Sequence, residues 1–306
     1  MHLRKEHAEL DVPALRRFIR ANPLGLLTTA IPSPTSSFPL LQSTHIPFIL
    51  DFDSDDDDNY DGKSAGAGAP PLGRLRGHMA RQNPQAKAMI EALMLGDSEN
   101  NVLAQDVLLV FTSPVQHYIT TNFYHETMTS DRRTAPTWNY AAAQVYGRLR
   151  VHHDADAPTT AAFLTQQLRD LARLGETQIM GYDAAEGGAA ATTTAAATTP
   201  KTIATATSEA AGSSAPTAWR LDDAPGSYVA RSIRGIVGLE IDIVRLEGKV
   251  KMSQELREGD REGVVRGLRA LRTETAERMA ELVEERAALL RASSSRAPVR
   301  VGTVSR

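Results

Sequence analysis

The sequence predicts a mainly β fold, a small barrel with peripheral helices, and three observations point to it. Val107-Leu108-Leu109-Val110-Phe111 is an unbroken apolar run, as expected for a strand buried on both faces. Several further segments read as strands separated by Gly- and Pro-marked turns. A regular strand–helix–strand alternation is missing, and neither a Gly-x-Gly-x-x-Gly nor a Gly-Lys-Ser/Thr phosphate loop follows a strand.

In chain order, Asp11 is placed to cap a helix that presents Leu15, Phe18 and Ile19, and Asn22-Pro23 stops it. Leu24 to Ala30 reads as a strand. Thr44 to Leu50 reads as another, with Pro47 demanding an edge or a bulge because it has no N–H to give the ladder. From Asp51 to Pro71 the chain is acidic and then Gly/Ala-rich. Asp55 to Asp58 lacks the Gly and closing Glu of a helix–loop–helix calcium site, so a solvated insertion is expected. Leu72 to Gly77 is expected as a strand and Pro84 to Leu95 as a helix. A strand including Tyr118 and Ile119 follows, then a long one over Asn139 to Val151.

Ala157 to Leu174 reads as a helix with Phe163, Leu164, Leu168 and Leu171 on its apolar stripe. Ala184 to Ala218 is an Ala/Thr/Gly/Ser tract with too little apolar surface to order itself. A short helix at Tyr228 to Arg234 and a strand at Ile236 to Leu246 come next. Asp260 to Leu290 is expected as one charged amphipathic helix, with Val264, Leu268, Leu271, Met279, Leu282 and Leu289 inward. The organisation expected is a barrel domain over 1–254, with disordered insertions near 51–71 and 184–218, then a helix and tail over 255–306.

The 306 residues contain no Cys, which excludes disulfides, thiolate metal sites and a cysteine nucleophile. The net charge of -3 gives no general attraction to nucleic acid or an anionic membrane. No apolar run approaches a membrane span, and residues 1–10 lack the apolar core of a secretion signal. A cytoplasmic protein is the expectation, with the nucleus open. The histidines show no helical metal spacing, and Ser43, Ser113 and Ser253 lack a nucleophile elbow, so no metal site or hydrolytic residue set is assigned.

Three islands concentrate the polar chemistry. In Arg76-Gly77-His78-Met79-Ala80-Arg81-Gln82-Asn83-Pro84-Gln85, cations precede a helix start, a natural phosphate seat. Asn83 is better explained as the helix cap before Pro84. For His78 and Arg81, ligand contact and a structural role weigh about evenly. In Pro136-Thr137-Trp138-Asn139-Tyr140, strand alternation puts Trp138 and Tyr140 on one face and Asn139 on the other. Taken alone, that aromatic pair is more often core than a stacking platform. In Glu247-Gly248-Lys249-Val250-Lys251-Met252-Ser253-Gln254, a hairpin turn accounts for Gly248 but leaves Lys251, Ser253 and Gln254 unexplained.

Together the islands resemble the FMN-binding negative transcriptional regulators of the PaiB type. Supporting fragments are Phe18 to Pro23, His45 to Phe48, Gly147 to Arg150 and Ile236 to Glu240. The chain departs from that pattern at Glu255-Leu256, where the family has an amide and a basic residue, and in part at Ser113 to Tyr118. The resemblance implies a split β-barrel holding FMN between two subunits of a homodimer. It implies Arg76, His78 and Arg81 at the phosphate, and Trp138, Asn139 and Tyr140 at the ring or the dimer seam. Lys251, Ser253 and Gln254 would close the site, with Met79 and Asn83 in the same motif. A negative transcriptional regulator is the implied function; a flavin-dependent reductase or oxidase, or a non-catalytic flavin or haem module, are the alternatives. DNA remains a partner the charge pattern does not support, because the C-terminal arginines alternate with glutamates.

Overall fold

The computed structural model describes residues 1–33, 37–52, 72–96, 99–128, 134–182 and 217–295. The acidic run at Asp55 to Asp58, nearly all of the Ala/Thr-rich tract and the end of the C-terminal tail lie outside the described residues.

The strands are β1 (Ala8–Glu9), β2 (Leu24–Ala30), β3 (Leu41–Pro47), β4 (Ile49–Asp51), β5 (Arg74–Ala80), β6 (Val107–Thr112), β7 (His117–Ile119), β8 (Thr137–His152) and β9 (Ile236–Lys251). The helices are α1 (Val12–Ala21), α2 (Pro84–Leu95), α3 (Pro158–Arg173), α4 (Gly226–Arg234), α5 (Glu258–Ala270) and α6 (Glu274–Ser295). The main sheet is antiparallel and runs β3-β2-β6-β8-β9-β5-β4. Because β4 continues β3 after a break at Phe48, one stretch of chain supplies both outer strands, and the sheet curls into a split barrel. Pro47 ends β3 as its missing donor demands, and Phe48 turns inward against Phe111, ring centroids 6.2 Å apart. Gly77 and Gly25 leave room for these rings: a Cβ on either would lie under 3 Å from one of them.

The inward side chains of β2, β5, β6, β8 and β9 form one core with Leu15 and Ile19 of α1 and Met89 and Leu93 of α2. A second core joins α5 and α6 to Ile119, Tyr124, Ala141 and Met252. Burial on this scale contributes roughly 1.5–3 kcal/mol per large apolar side chain. α5 docks closely enough that a Cβ on Gly263 would meet the Phe123 carbonyl oxygen at 2.0 Å.

Three expectations need correction. β9 does not end at Leu246 in a hairpin but continues to Lys251, so Gly248 is a strand residue. The reason for glycine there is α1: a Cβ would lie 2.3 Å from the Leu15 side chain. The C-terminal helix is two helices, broken where Arg272 adopts a left-handed backbone, φ 53°. Leu271 and Leu289, expected inward, are exposed. The buried face of α3 is Thr160, Leu164 and Gln167 rather than an apolar stripe alone.

Candidate functional site at the two ends of one strand pair

β8 and β9 pair over nearly their whole lengths, from His152 opposite Gly238 at one end to Tyr140 opposite Lys251 at the other. The first island lies at the former end, because β5 pairs with β9 there and puts His78 opposite Gly238. The second and third islands meet at the latter. Roughly 40 Å of extended chain separates the two ends, at about 3.3 Å per residue.

At the first end α3 covers the outer face. Arg76 donates to both carboxylate oxygens of Asp51 and, through Nη2, to Asp170 Oδ2 at 2.8 Å. Its hydrogen bonds to these two acids hold the guanidinium well above its usual value. His78 Nδ1 lies 2.7 Å from Gln167 Oε1, and burial keeps the imidazole below its ordinary value. Arg81 donates through Nη2 to the carbonyl of His153 at 2.6 Å and of Ile236 at 3.3 Å, and through Nε to that of Arg234. Asn83 accepts from Gln85 N at 2.8 Å and caps α2, as expected from the Asn-Pro step. Met79 is core. Beside them His152 stacks on Phe163 at 3.9 Å and meets Glu240 Oε2 at 3.0 Å, while Arg74 pairs with Asp242 and Glu240. Arg74, Arg76 and His152 here each have a carboxylate partner, while Arg81 is held by backbone carbonyls and His78 by the Gln167 amide.

The other end is different. Trp138 stands half in solvent, edge-on to Tyr118 at 6.1 Å, with its Nε1 donating to Gln116 Oε1. It is therefore not core. Tyr140 carries Lys249 Nζ 5.5 Å from its ring centroid. Lys251 Nζ reaches Thr137 Oγ1 and the Trp138 carbonyl, and burial lowers its pKa. Asn139 is fully buried; its Nδ2 donates to Ser253 Oγ at 2.9 Å, while its Oδ1 has no hydrogen-bond partner among the described residues. Ser253 turns the chain off β9 with a left-handed backbone, φ 59°. Gln254 folds back to accept from Met252 N and to donate to the Glu6 carbonyl at 2.9 Å, so its amide ties down the N-terminal segment. Reading the sequence gave no place to Lys249 or Thr137 in the site, nor to Gln167 and Asp170 beneath α3. Lys249 was visible as the strand partner-face neighbour of Lys251; the α3 residues carry no local signal.

The family described as "Putative FMN-binding domain" matches residues 1–245, most of the chain. The chain belongs to this family. Its cofactor is FMN, and its fold is the split barrel built above. An uncharacterized protein of Aspergillus fumigatus is 42% identical over 290 residues, covering 94% of this chain and 97% of that one. The Bacillus subtilis "Protease synthase and sporulation protein PAI 2" is 23% identical over 287 residues, covering 94% and 98%. The flavocytochrome Anf3 of Azotobacter vinelandii is 12% identical with a TM-score of 0.38, over 82% of this chain and 72% of that one. The fold rests on the strand pairing here, not on that likeness.

Among this chain's residues, the Tyr140–Lys251 end has the groups a flat, phosphorylated ring would need on one face of the strand pair. That face offers the exposed Trp138, the half-buried Tyr140 and two lysines, while Asn139, with its unpartnered amide oxygen, lies on the other face. The first island fits less well, since Arg76 is already held by two carboxylates.

Proposed function

We propose that this chain is a homodimeric flavoprotein whose FMN is held at the Tyr140–Lys251 end of β8 and β9. The observation that carries the reading is that Lys249 has no carboxylate within ion-pair distance among the described residues, beside the aromatic pair Trp138 and Tyr140. Trp138 and Tyr140 would flank the ring, and Lys249 and Lys251 would attract the phosphate. Bound FMN supplies hydride or single-electron transfer; the protein orients it and limits water.

The dimer reading is supported by the outer face of β2 and β6. Leu24, Leu26, Leu108 and Val110 line it, all partly or largely exposed, and no described helix packs extensively across it. An apolar row of this kind on an otherwise charged surface is what a self-complementary two-fold contact buries.

A regulatory role, which the resemblance to the PaiB-type regulators suggests, would run through flavin occupancy or a partner protein. Five of the C-terminal arginines have acidic partners: Arg257 with Glu126, Arg269 with Glu277 and Glu284, Arg278 with Glu281 and Glu285, Arg286 with Glu9, and Arg291 with Glu258. Such a surface does not track phosphates. The test is the absorbance spectrum of freshly purified protein, followed by heat release of the chromophore and an FMN titration. A flavin spectrum or saturable FMN binding is expected; a colourless protein that ignores FMN contradicts the proposal. Bleaching by NADH or NADPH would add reductase activity, and salt-dependent retention on DNA would restore direct regulation.

A further inference from the structure

Immediately after Gln254, the side chain of Glu255 folds back over the end of β9. Its Oε1 lies 3.8 Å from Lys251 Nζ and its Oε2 lies 3.1 Å from His7 Nε2. His7 is 2% exposed and arrives on the N-terminal segment that β1 and Gln254 fasten to β9. The carboxylate thus sits beside the Lys251 ammonium, where an incoming anion would meet it, while the buried His7 backs it from the protein side. The segment itself is held by the strand pairing of β1 and by the Gln254 amide, independently of the Glu255 carboxylate.

We propose that Glu255 sets how strongly the site prefers a phosphorylated flavin over a non-phosphorylated one, by standing in for the phosphate on Lys251. The inference rests on the placement of FMN at this end of β8 and β9. A phosphoryl group that comes to Lys251 must displace the carboxylate or bear its repulsion, and either weakens the phosphate contribution to binding. A ring without phosphate meets no such opposition. Glu255 is therefore a specificity-determining residue, and the chain releases FMN more readily than the same barrel with a neutral residue there.

FMN and riboflavin differ by the phosphoryl group alone, so the ratio of their dissociation constants isolates the effect. In Glu255→Gln, which keeps the shape of the side chain and removes its charge, FMN binding should tighten about 10-fold while riboflavin stays within about 2-fold. Glu255→Asp, which keeps the charge, should preserve the wild-type ratio. Inorganic phosphate should compete with FMN at lower concentration in Glu255→Gln than in the wild type. An unchanged ratio in Glu255→Gln, or equal weakening of both flavins, would show that Glu255 only fastens the N-terminal segment, and overturns the inference while leaving the flavin site standing. Failure of the wild type to bind either flavin overturns both.

Discussion

The two ends of the β8–β9 pair use the same residue types to opposite effect. Beneath α3, Arg74, Arg76 and His152 each face a carboxylate, and the helix seals them. At the other end, Lys249 and Lys251 stand beside half-exposed aromatics with Glu255 as the nearest acid. A row of cations in a sequence is therefore not a site until the partners are known. Matched charges under a helix serve the architecture; on the reading proposed above, the lysines at the open strand end serve recognition.

The sharpest way to break this comparison is Arg76→Ala. Removing the guanidinium leaves the largely buried Asp170 with only Arg173 and Gln166 as partners and frees Asp51, which is more exposed, so a loss of about 2 kcal/mol is expected in chemical denaturation. FMN affinity of the folded fraction should change less than threefold. A variant as stable as the wild type but unable to bind FMN would make the first island the phosphate seat after all.

The comparison also assumes that the open end lies beside a dimer face. Val110→Asp puts a charge in the middle of the apolar row on β6 and should shift the protein toward monomer in sedimentation by about 30-fold in dissociation constant, roughly 2 kcal/mol. A wild-type protein that is monomeric at micromolar concentration would remove the face from the account.

A smaller effect separates the ends by pH. Burial keeps His78 below its ordinary value, so it favours the neutral ring in the fold. The stability this contributes is complete above about pH 6.5 and is lost as the pH falls through the depressed folded value. Glu240, held low chiefly by its hydrogen bond to His152, adds a second loss below the usual carboxylate range. His78→Gln keeps a polar partner for Gln167 without titrating, so its stability should fall less between pH 7 and pH 5, by under about 1 kcal/mol. An unaltered slope would mean that His78 does not sense this window.

Much of the barrel was legible because its strands obey simple patterns. Val107 to Phe111, the break at Pro47 and the Asn83-Pro84 helix start each follow from local chemistry. The continuation of β9 through Gly248 was not legible, because the reason for that glycine is Leu15, more than 230 positions away. The break at Arg272 was missed because apolar spacing runs on across it, while the backbone reverses to bring α6 back along α5. At the candidate site the motifs singled out Trp138, Asn139, Tyr140 and Lys251, which the β8–β9 pairing brings together. They could not reveal that Asp51 and Asp170 engage Arg76, or that Gln254 faces the N-terminal segment, since those partners carry no motif of their own.

The most direct test of the central claim is a paired FMN titration of two charge-neutral variants. The double variant Lys249→Met, Lys251→Met should bind FMN at least 10-fold more weakly than wild type, while Arg76→Met should remain within about threefold once corrected for folded fraction. The reverse pattern, full affinity without the lysines and loss with Arg76→Met, would contradict the account.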